Sequence, residues 1–226
     1  MVSIKKFEDL FKRYEGNPII QASDLPYRAN SVFNAAAVAV DNETLLLMRV
    51  EDRRGISHLT VARSVDGIGN WRIESSPALA PEPKSHPEEI WGIEDPRITR
   101  IDELGLWVVV YTAYSRGGPL VALATTEDFK TFRRMGAVMP PEDKDAALFP
   151  VRFGGRWAMI HRPVSVFTGM GAHIWISFSP DMKHWGGHNI LLRARKAPGG
   201  MPTRSACHLP PCVPKEDGFY CTTECA

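Results

Sequence analysis

An all-β fold is predicted for this chain, on three observations. After the first sixteen residues the pattern is one of short apolar strands separated by turn formers, three of these segments repeat one another, and each repeat is preceded by a strand of its own. The copies are LTVARSVDGIGNW (59–71), VALATTEDFKTF (121–132) and IWISFSPDMKHW (174–185). Each reads as a strand ending in a small polar residue, then x-Asp, then an aromatic. The aspartates are Asp66, Asp128 and Asp181, 62 and 53 residues apart. A period of roughly 50–60 residues built from several short strands is the signature of a β-propeller blade. A sandwich containing three such hairpins is the competing arrangement, and the period favours the propeller. Propellers close with about four to eight blades, so three visible repeats leave the ring incomplete.

The elements follow in chain order. Ile4, Phe7 and Phe11 stand at helical spacing, with Leu10 and Tyr14 widening the face, so residues 1–16 are expected to hold a short amphipathic helix that Gly16-Asn17-Pro18 ends. SVFNAAAVAV and TLLLMRV flank Asp41-Asn42-Glu43, which predicts a hairpin. HLTVARS, LWVVVYTAYS, LVALATT, RWAMIHR and HIWISFS are further strand candidates, and residues 17–196 make up the propeller part.

Composition excludes several classes. The 226 residues are 44% hydrophobic and 23% charged, and 27 basic against 26 acidic residues give no charge imbalance to attract nucleic acid or an anionic membrane. A chain of this size buries roughly 70% of its unfolded surface and needs no disulfide staples. Its apolar runs, such as Leu106–Tyr111, fall far short of the ~20 residues that span a bilayer. The charged start MVSIKKFEDLFKRYEG lacks the apolar core of a signal peptide, so a cytoplasmic location is expected.

Three polar clusters could carry chemistry. Trp91-Gly92-Ile93-Glu94-Asp95-Pro96-Arg97 combines adjacent acids, a turn-rigidifying proline and an arginine, and a carboxylate so placed could act as general acid or base. A solvated turn with an ion pair is the competing reading. In Arg49-Val50-Glu51-Asp52-Arg53-Arg54-Gly55, strand alternation puts Arg49 and Val50 on opposite faces, so one charge could point inward; a charged hairpin turn explains the segment equally. Lys144-Asp145 before LFP and His161-Arg162-Pro163 after the next strand offer basic groups that suit phosphate or a carboxylate, against the plainer reading of surface charge. All four cysteines (Cys207, Cys212, Cys221, Cys225) lie in the last twenty residues. With His208 they could make a zinc set, but the spacing fits neither a finger nor a ribbon, and no metal is expected.

At these residues the chain resembles glycoside hydrolase family 130, the β-mannoside phosphorylases and related mannosidases. The matching stretches are FNAAAV (33–38), LLLMRVEDRRGISHLTVARSVDG (45–67), WGIEDPRIT (91–99), YTAYS (111–115), KDAALFP (144–150) and HRP (161–163). The resemblance implies a five-bladed propeller, of which this chain holds about three to four blades, and no cofactor beyond inorganic phosphate as co-substrate. It implies that Asp95 is the catalytic acid, protonating the leaving oxygen through a mannose hydroxyl while phosphate attacks the anomeric carbon with inversion to give α-mannose 1-phosphate. It implies Lys144 and Arg162 as phosphate ligands, and Asn34, Arg49 and Asp52 as sugar ligands. Phosphate is already a nucleophile, so no second carboxylate is needed to activate water. The partners implied are a β-mannoside oligosaccharide, such as mannosyl-glucose or a β-1,4-mannooligosaccharide, and phosphate; association into a homo-oligomer is left open. The alternatives are a β-mannosidase of the same family and an inactive, truncated propeller.

After LLRARK (191–196) the chain departs from the family pattern, which continues W-D-x-x-K-I-G, a proline run and W-x-L-L-Y-H-G-V. Read from the third base of each codon, Phe219-Tyr220-Cys221 gives Leu-Leu whatever the wobble bases, and the surrounding residues permit W-V-L-L-Y-H-G-V. Gly199–Pro202 permits Trp-Asp in the same frame, and Thr203–Ala206 permits Lys-Ile-Gly. Residues 197–226 are therefore expected to be an out-of-frame, aberrant tail, disordered for want of a packing pattern. A sequencing error and a true divergent tail are the alternatives. On this expectation the chain lacks the later blades and half the phosphate site, and its own turnover is weak or absent.

Overall fold

The computed structural model describes residues 12–164, 172–194, 212–215 and 218–221. Among them the fold is all-β, with three four-stranded antiparallel sheets, each a meander in chain order. The first holds β1 (Ser31–Val40), β2 (Glu43–Glu51), β3 (Ser57–Ser64) and β4 (Arg72–Ile73). The second holds β5 (Ile93–Ile101), β6 (Leu106–Ser115), β7 (Gly118–Thr126) and β8 (Arg133–Ala137). The third holds β9 (Asp143–Leu148), β10 (Trp157–Pro163), β11 (Ile174–Ser179) and β12 (Gly186–Leu192). The helix expected over 1–16 falls mainly on residues outside those described, and residues 12–16 form none. Of the expected tail, β13 (Cys212–Lys215) and β14 (Gly218–Cys221) are described and pair with each other, where the expectation was disorder. The zinc alternative falls outside the described side chains.

The sequence repeat is the third strand and following turn of each sheet. In every copy one carboxylate oxygen caps the turn. Asp66 Oδ1 accepts from the backbone N–H groups of Ile68 and Gly69, both at 2.9 Å. Asp128 Oδ1 accepts from Lys130 and Thr131, both at 2.8 Å, and Asp181 Oδ1 from Lys183 at 2.9 Å and His184 at 2.8 Å. The small polar residue two places earlier (Ser64, Thr126 or Ser179) donates its hydroxyl to the same oxygen. The backbone donors, with Ser64 adding to them, hold the Asp66 pKa at about 2. An unfolded aspartate titrates near ~3.9, so the capped carboxylate stabilises the fold above that pH and loses its effect as pH falls through the folded value. We expect the melting temperature to drop between pH ~4 and ~2, and Asp66→Asn to drop less over that interval in a pH series of thermal melts.

The second sheet is buried on both faces. Val109, Tyr111, Ala122 and Ile98 pack with Leu45, Leu47, Leu59 and Val61 of the first sheet. Val108, Val110, Val121 and Leu123 pack with Leu148, Trp157 and Met159 of the third. This explains why LWVVVYT reads as a continuous apolar run rather than an alternating one. The expected hairpin joins β1 and β2, but its loop is two residues rather than three, Glu43 pairing with Val40, with Asp41 and Asn42 both at positive φ (51° and 62°), as a primed turn requires. The leading strands are neighbours: β1 lies beside β5, and β5 beside β9. Gly92 touches Ser57 in a parallel bridge, where a Cβ would stand 2.8 Å from the Ser57 nitrogen. Only glycine lets the first and second sheets approach this closely just before Glu94-Asp95. Among the described residues no helix is long and apolar enough to cross a membrane.

Candidate active site

Each leading strand carries the same irregularity. Asn34-Ala35 oppose the single residue Met48, Asp95-Pro96 oppose Tyr111, and Asp145-Ala146 oppose His161. The first residue of each bulge has positive φ: 48° at Asn34, 48° at Asp95 and 55° at Asp145. These are two-for-one bulges whose left-handed position, normally glycine, is filled by the residues that best tolerate it. Side chains of a regular strand alternate, so adjacent residues face opposite ways. A left-handed residue breaks that alternation: Asn34 and Asp95 then meet across neighbouring leading strands, while Asp145 meets Arg162 of β10 in its own sheet.

The result is visible at Arg49. Its NH2 donates to Glu94 Oε1 at 2.9 Å and its NH1 to Asp95 Oδ1 at 3.0 Å, so two consecutive acids share one guanidinium. Nε donates to Ser57 Oγ at 2.9 Å, and the guanidinium carbon lies 4.3 Å from the Phe33 ring centre. Every side of Arg49 is thereby fixed, while the next residue, Val50, is fully buried on the opposite face, as alternation predicts. Asn34 Nδ2 donates to the same Asp95 oxygen at 2.8 Å, and Lys144 Nζ lies 3.6 Å from Asp95 Oδ2. Asp95 is only 6% exposed. Burial alone would raise its carboxyl, but hydrogen bonds from Asn34 and Arg49 and the charges of Arg49 and Lys144 outweigh this and hold its pKa below the usual range. Glu94 goes the other way: burial pushes it up, the Arg49 charge offsets part of that, and the adjacent Asp95 adds to the rise. Neighbouring carboxyls whose environments drive them apart are a mark of acid–base sites.

Of the residues singled out from the sequence, Asn34, Arg49, Asp95 and Lys144 thus form one cluster contributed by all three sheets. Arg162, beside Lys144 in the β9–β10 register, is held by Asp145. Asp52 does not join them. Its oxygens accept from the Arg54 backbone at 2.7 Å, the Ile56 backbone at 3.1 Å and the Arg54 guanidinium, closing its own turn. Slight burial would raise its carboxyl, and these bonds lower it instead. Behind Arg162, buried His161 places Nδ1 2.5 Å from Asp143 Oδ2 and Nε2 2.7 Å from Ser177 Oγ, linking β9, β10 and β11.

Two participants were given no role from the sequence. One is Asp145, whose signal was an Asn or Asp followed by a small residue or proline on each leading strand: Asn34-Ala35, Asp95-Pro96, Asp145-Ala146. The other is Glu89, fully buried, which accepts from Tyr111 Oη at 2.8 Å and Arg134 Nε at 3.0 Å through Oε1, and from the Glu82 backbone at 2.9 Å through Oε2. Arg134 also binds the Ala80 carbonyl. This knot fastens the proline-rich loop that leads into Gly92 and Asp95.

A family model described as beta-1,4-mannooligosaccharide phosphorylase, that of glycoside hydrolase family 130, matches residues 4–199. The β-1,4-mannooligosaccharide phosphorylase of Ruminococcus albus is 33% identical over 196 residues, which is 84% of this chain and 57% of that protein. The 1,2-β-oligomannan phosphorylase of a Thermoanaerobacter species is 30% identical over 213 residues, 86% of this chain and 68% of that one. The solved structure of β-1,2-mannobiose phosphorylase from Listeria innocua with β-1,2-mannobiose superposes at a TM-score of 0.79 and 25% identity, over 93% of this chain and 74% of that chain. This chain thus spans a little over half the length of the R. albus relative.

Proposed function

Because the chain belongs to glycoside hydrolase family 130, the family of β-1,4-mannooligosaccharide phosphorylases, we propose that its site is built for inverting phosphorolysis of β-mannosides. The observation that carries the reading is the Asp95 carboxyl, gripped by Asn34 and Arg49 and within reach of Lys144. Phosphate attacks C1 of the mannosyl unit, the bond from C1 to the bridging oxygen breaks, and that oxygen takes a proton originating from Asp95 by way of a mannose hydroxyl. The product is α-mannose 1-phosphate. Glu94 shares the Arg49 guanidinium with Asp95, so these two carboxyls lie side by side rather than set apart to flank a sugar. An inverting hydrolase needs its base on the opposite face, whereas phosphate brings its own nucleophilic oxygen. Asn34 and Arg49 serve the sugar, and Lys144 and Arg162 the phosphate, within a propeller that five blades complete.

Lys144 has two calls on its charge. In the free protein it faces Asp95, which helps keep that carboxyl ionised. When phosphate takes the ammonium, Asp95 loses that support and its pKa rises toward what an acid catalyst needs. A raised pKa keeps the proton on to higher pH, so the limb on which activity falls with rising pH should move upward as phosphate is increased. The expected result is an upward displacement of that limb between low and saturating phosphate. Rate–pH profiles at low and saturating phosphate measure it; in Lys144→Ala the displacement should vanish, which separates it from phosphate's own ionisation.

The reading is tested by following α-mannose 1-phosphate by phosphorus NMR from β-1,4-mannobiose or mannosyl-glucose, with and without phosphate. We infer that the tail from Ala197 is an out-of-frame translation, so the assay is run on the 226-residue chain and on the gene with the shifted frame restored. Phosphate-dependent product from the restored protein, with little from the chain itself, is the expected outcome. Mannose released at one rate with or without phosphate would make the protein a hydrolase. Robust turnover by the 226-residue chain would uphold phosphorolysis and overturn the frame inference.

A further inference from the structure

We propose that Asp145 is a positioning residue of the phosphate site, fixing the Arg162 guanidinium from the third of the three bulges. The inference rests on the phosphorylase reading and adds to it a residue with no role there.

Three observations converge. Asp145 repeats in β9 the place of Asp95 in β5 and of Asn34 in β1: first residue of a two-for-one bulge, at positive φ. A non-glycine residue in that region is strained, and such strain persists where the surroundings hold it, often at functional sites. The bulge also breaks alternation between Lys144 and Asp145. In a regular strand these neighbours would face opposite ways. Here Lys144 reaches toward Asp95 while Asp145 takes Arg162, whose Cα is paired across from Lys144.

The contact itself is directional. Arg162 Nε donates to Asp145 Oδ2 at 2.8 Å, and NH2 donates to the same oxygen. Both groups are largely withdrawn from water, with 14% of the Arg162 side chain and 5% of the Asp145 side chain exposed. A guanidinium held along its Nε edge is fixed in plane and rotamer, and it keeps further N–H donors with which to meet a phosphate. Lys144, a point charge on a flexible stem, has no equivalent fork. The orientation of the phosphate thus depends on Arg162, and Arg162 on Asp145.

The test is calorimetric titration of inorganic phosphate into the frame-restored protein, here the wild type, and its Asp145→Asn, Arg162→Ala and doubly substituted forms. Asparagine tolerates the left-handed backbone and is isosteric, so only the charge is removed. Asp145→Asn is expected to weaken phosphate binding about 10–100-fold, the range seen when a partner that orients a ligand-binding side chain is lost from a metal site. Its affinity for β-1,4-mannobiose should stay near wild type when both proteins are measured well below the melting temperature, which loss of the Arg162 counter-charge lowers. In the Arg162→Ala background the same change should have no further effect, because the side chain it acts through is gone. Phosphate affinity within twofold of wild type in Asp145→Asn would overturn the inference while leaving the phosphorylase reading intact. Equal loss of phosphate binding and mannobiose binding under those conditions would make Asp145 a structural residue and overturn it too. Failure of wild type to bind millimolar phosphate, or unchanged binding by Arg162→Ala, would overturn the phosphate reading itself and the inference with it.

Discussion

Asp95→Asn is expected to reduce α-mannose 1-phosphate formation by about 10³-fold, within the range for loss of a general acid and equivalent to ~4 kcal/mol of transition-state stabilisation. The measurement is the initial rate in the frame-restored protein, with β-1,4-mannobiose affinity measured alongside. Asparagine suits this test because the position sits at positive φ, where asparagine is tolerated and most other residues add strain. The substitution also keeps an acceptor oxygen for Asn34 and Arg49, so mannobiose affinity should change only a few-fold. Retention of more than a tenth of the wild-type rate would remove Asp95 from the role of proton source. Glu94, with its raised pKa, would then be the next carboxyl to test.

Arg134→Ala is expected to have the largest effect on stability. It leaves Glu89 fully buried beside Tyr111 with its principal counter-charge removed. Breaking a buried pair by removing one partner costs about 3–5 kcal/mol, because the remaining charge stays desolvated. For a chain of this size that lowers the melting temperature by roughly 10 °C. Neutralising both partners, with Glu89→Gln and Arg134→Met together, should restore part of the loss, since the isolated charge is the expensive species. Thermal or urea melts of the two variants and the wild type decide it, and a loss below ~1 kcal/mol in Arg134→Ala would show the knot to be dispensable. Because the knot anchors the loop entering Gly92 and Asp95, Arg134→Ala should also weaken mannobiose binding at temperatures where it remains folded.

Much of the fold was legible because its signals are local. The repeat around Asp66, Asp128 and Asp181 could be read as strand ends because an Asx-type cap needs its carboxylate two and three residues from the amides it accepts, whatever the rest of the chain does. The Asp41-Asn42 hairpin is local in the same sense. Alternation put Arg49 and Val50 on opposite faces without saying which charge of that segment points inward, and the burial of Val50 agrees with the opposition. The grouping of Asn34, Arg49, Asp95 and Lys144 was anticipated by resemblance, through FNAAAV, RVEDRRG, GIEDPRIT and KDAALFP. Asp52 lies within one of those stretches and yet turns to its own loop, since motif membership does not fix where a carboxylate points.

By itself, then, the sequence determined the strands, their turns, the repeating meander and the set of charged residues from which a site could be made. Tertiary structure decided which charges meet. The alternation rule has a period of two and holds only while a strand stays regular; a left-handed residue at Asn34, Asp95 or Asp145 cancels it, so no periodicity could place Glu94 and Asp95 on one guanidinium or hand Arg162 to Asp145. The Glu89–Arg134 knot joins residues 45 positions apart, and the clasp of Asn34 on Asp95 joins residues 61 apart. Such contacts depend on how the sheets stack, and that is set by the burial of Val109, Tyr111 and Val110 between their neighbours rather than by any feature of the charged residues themselves.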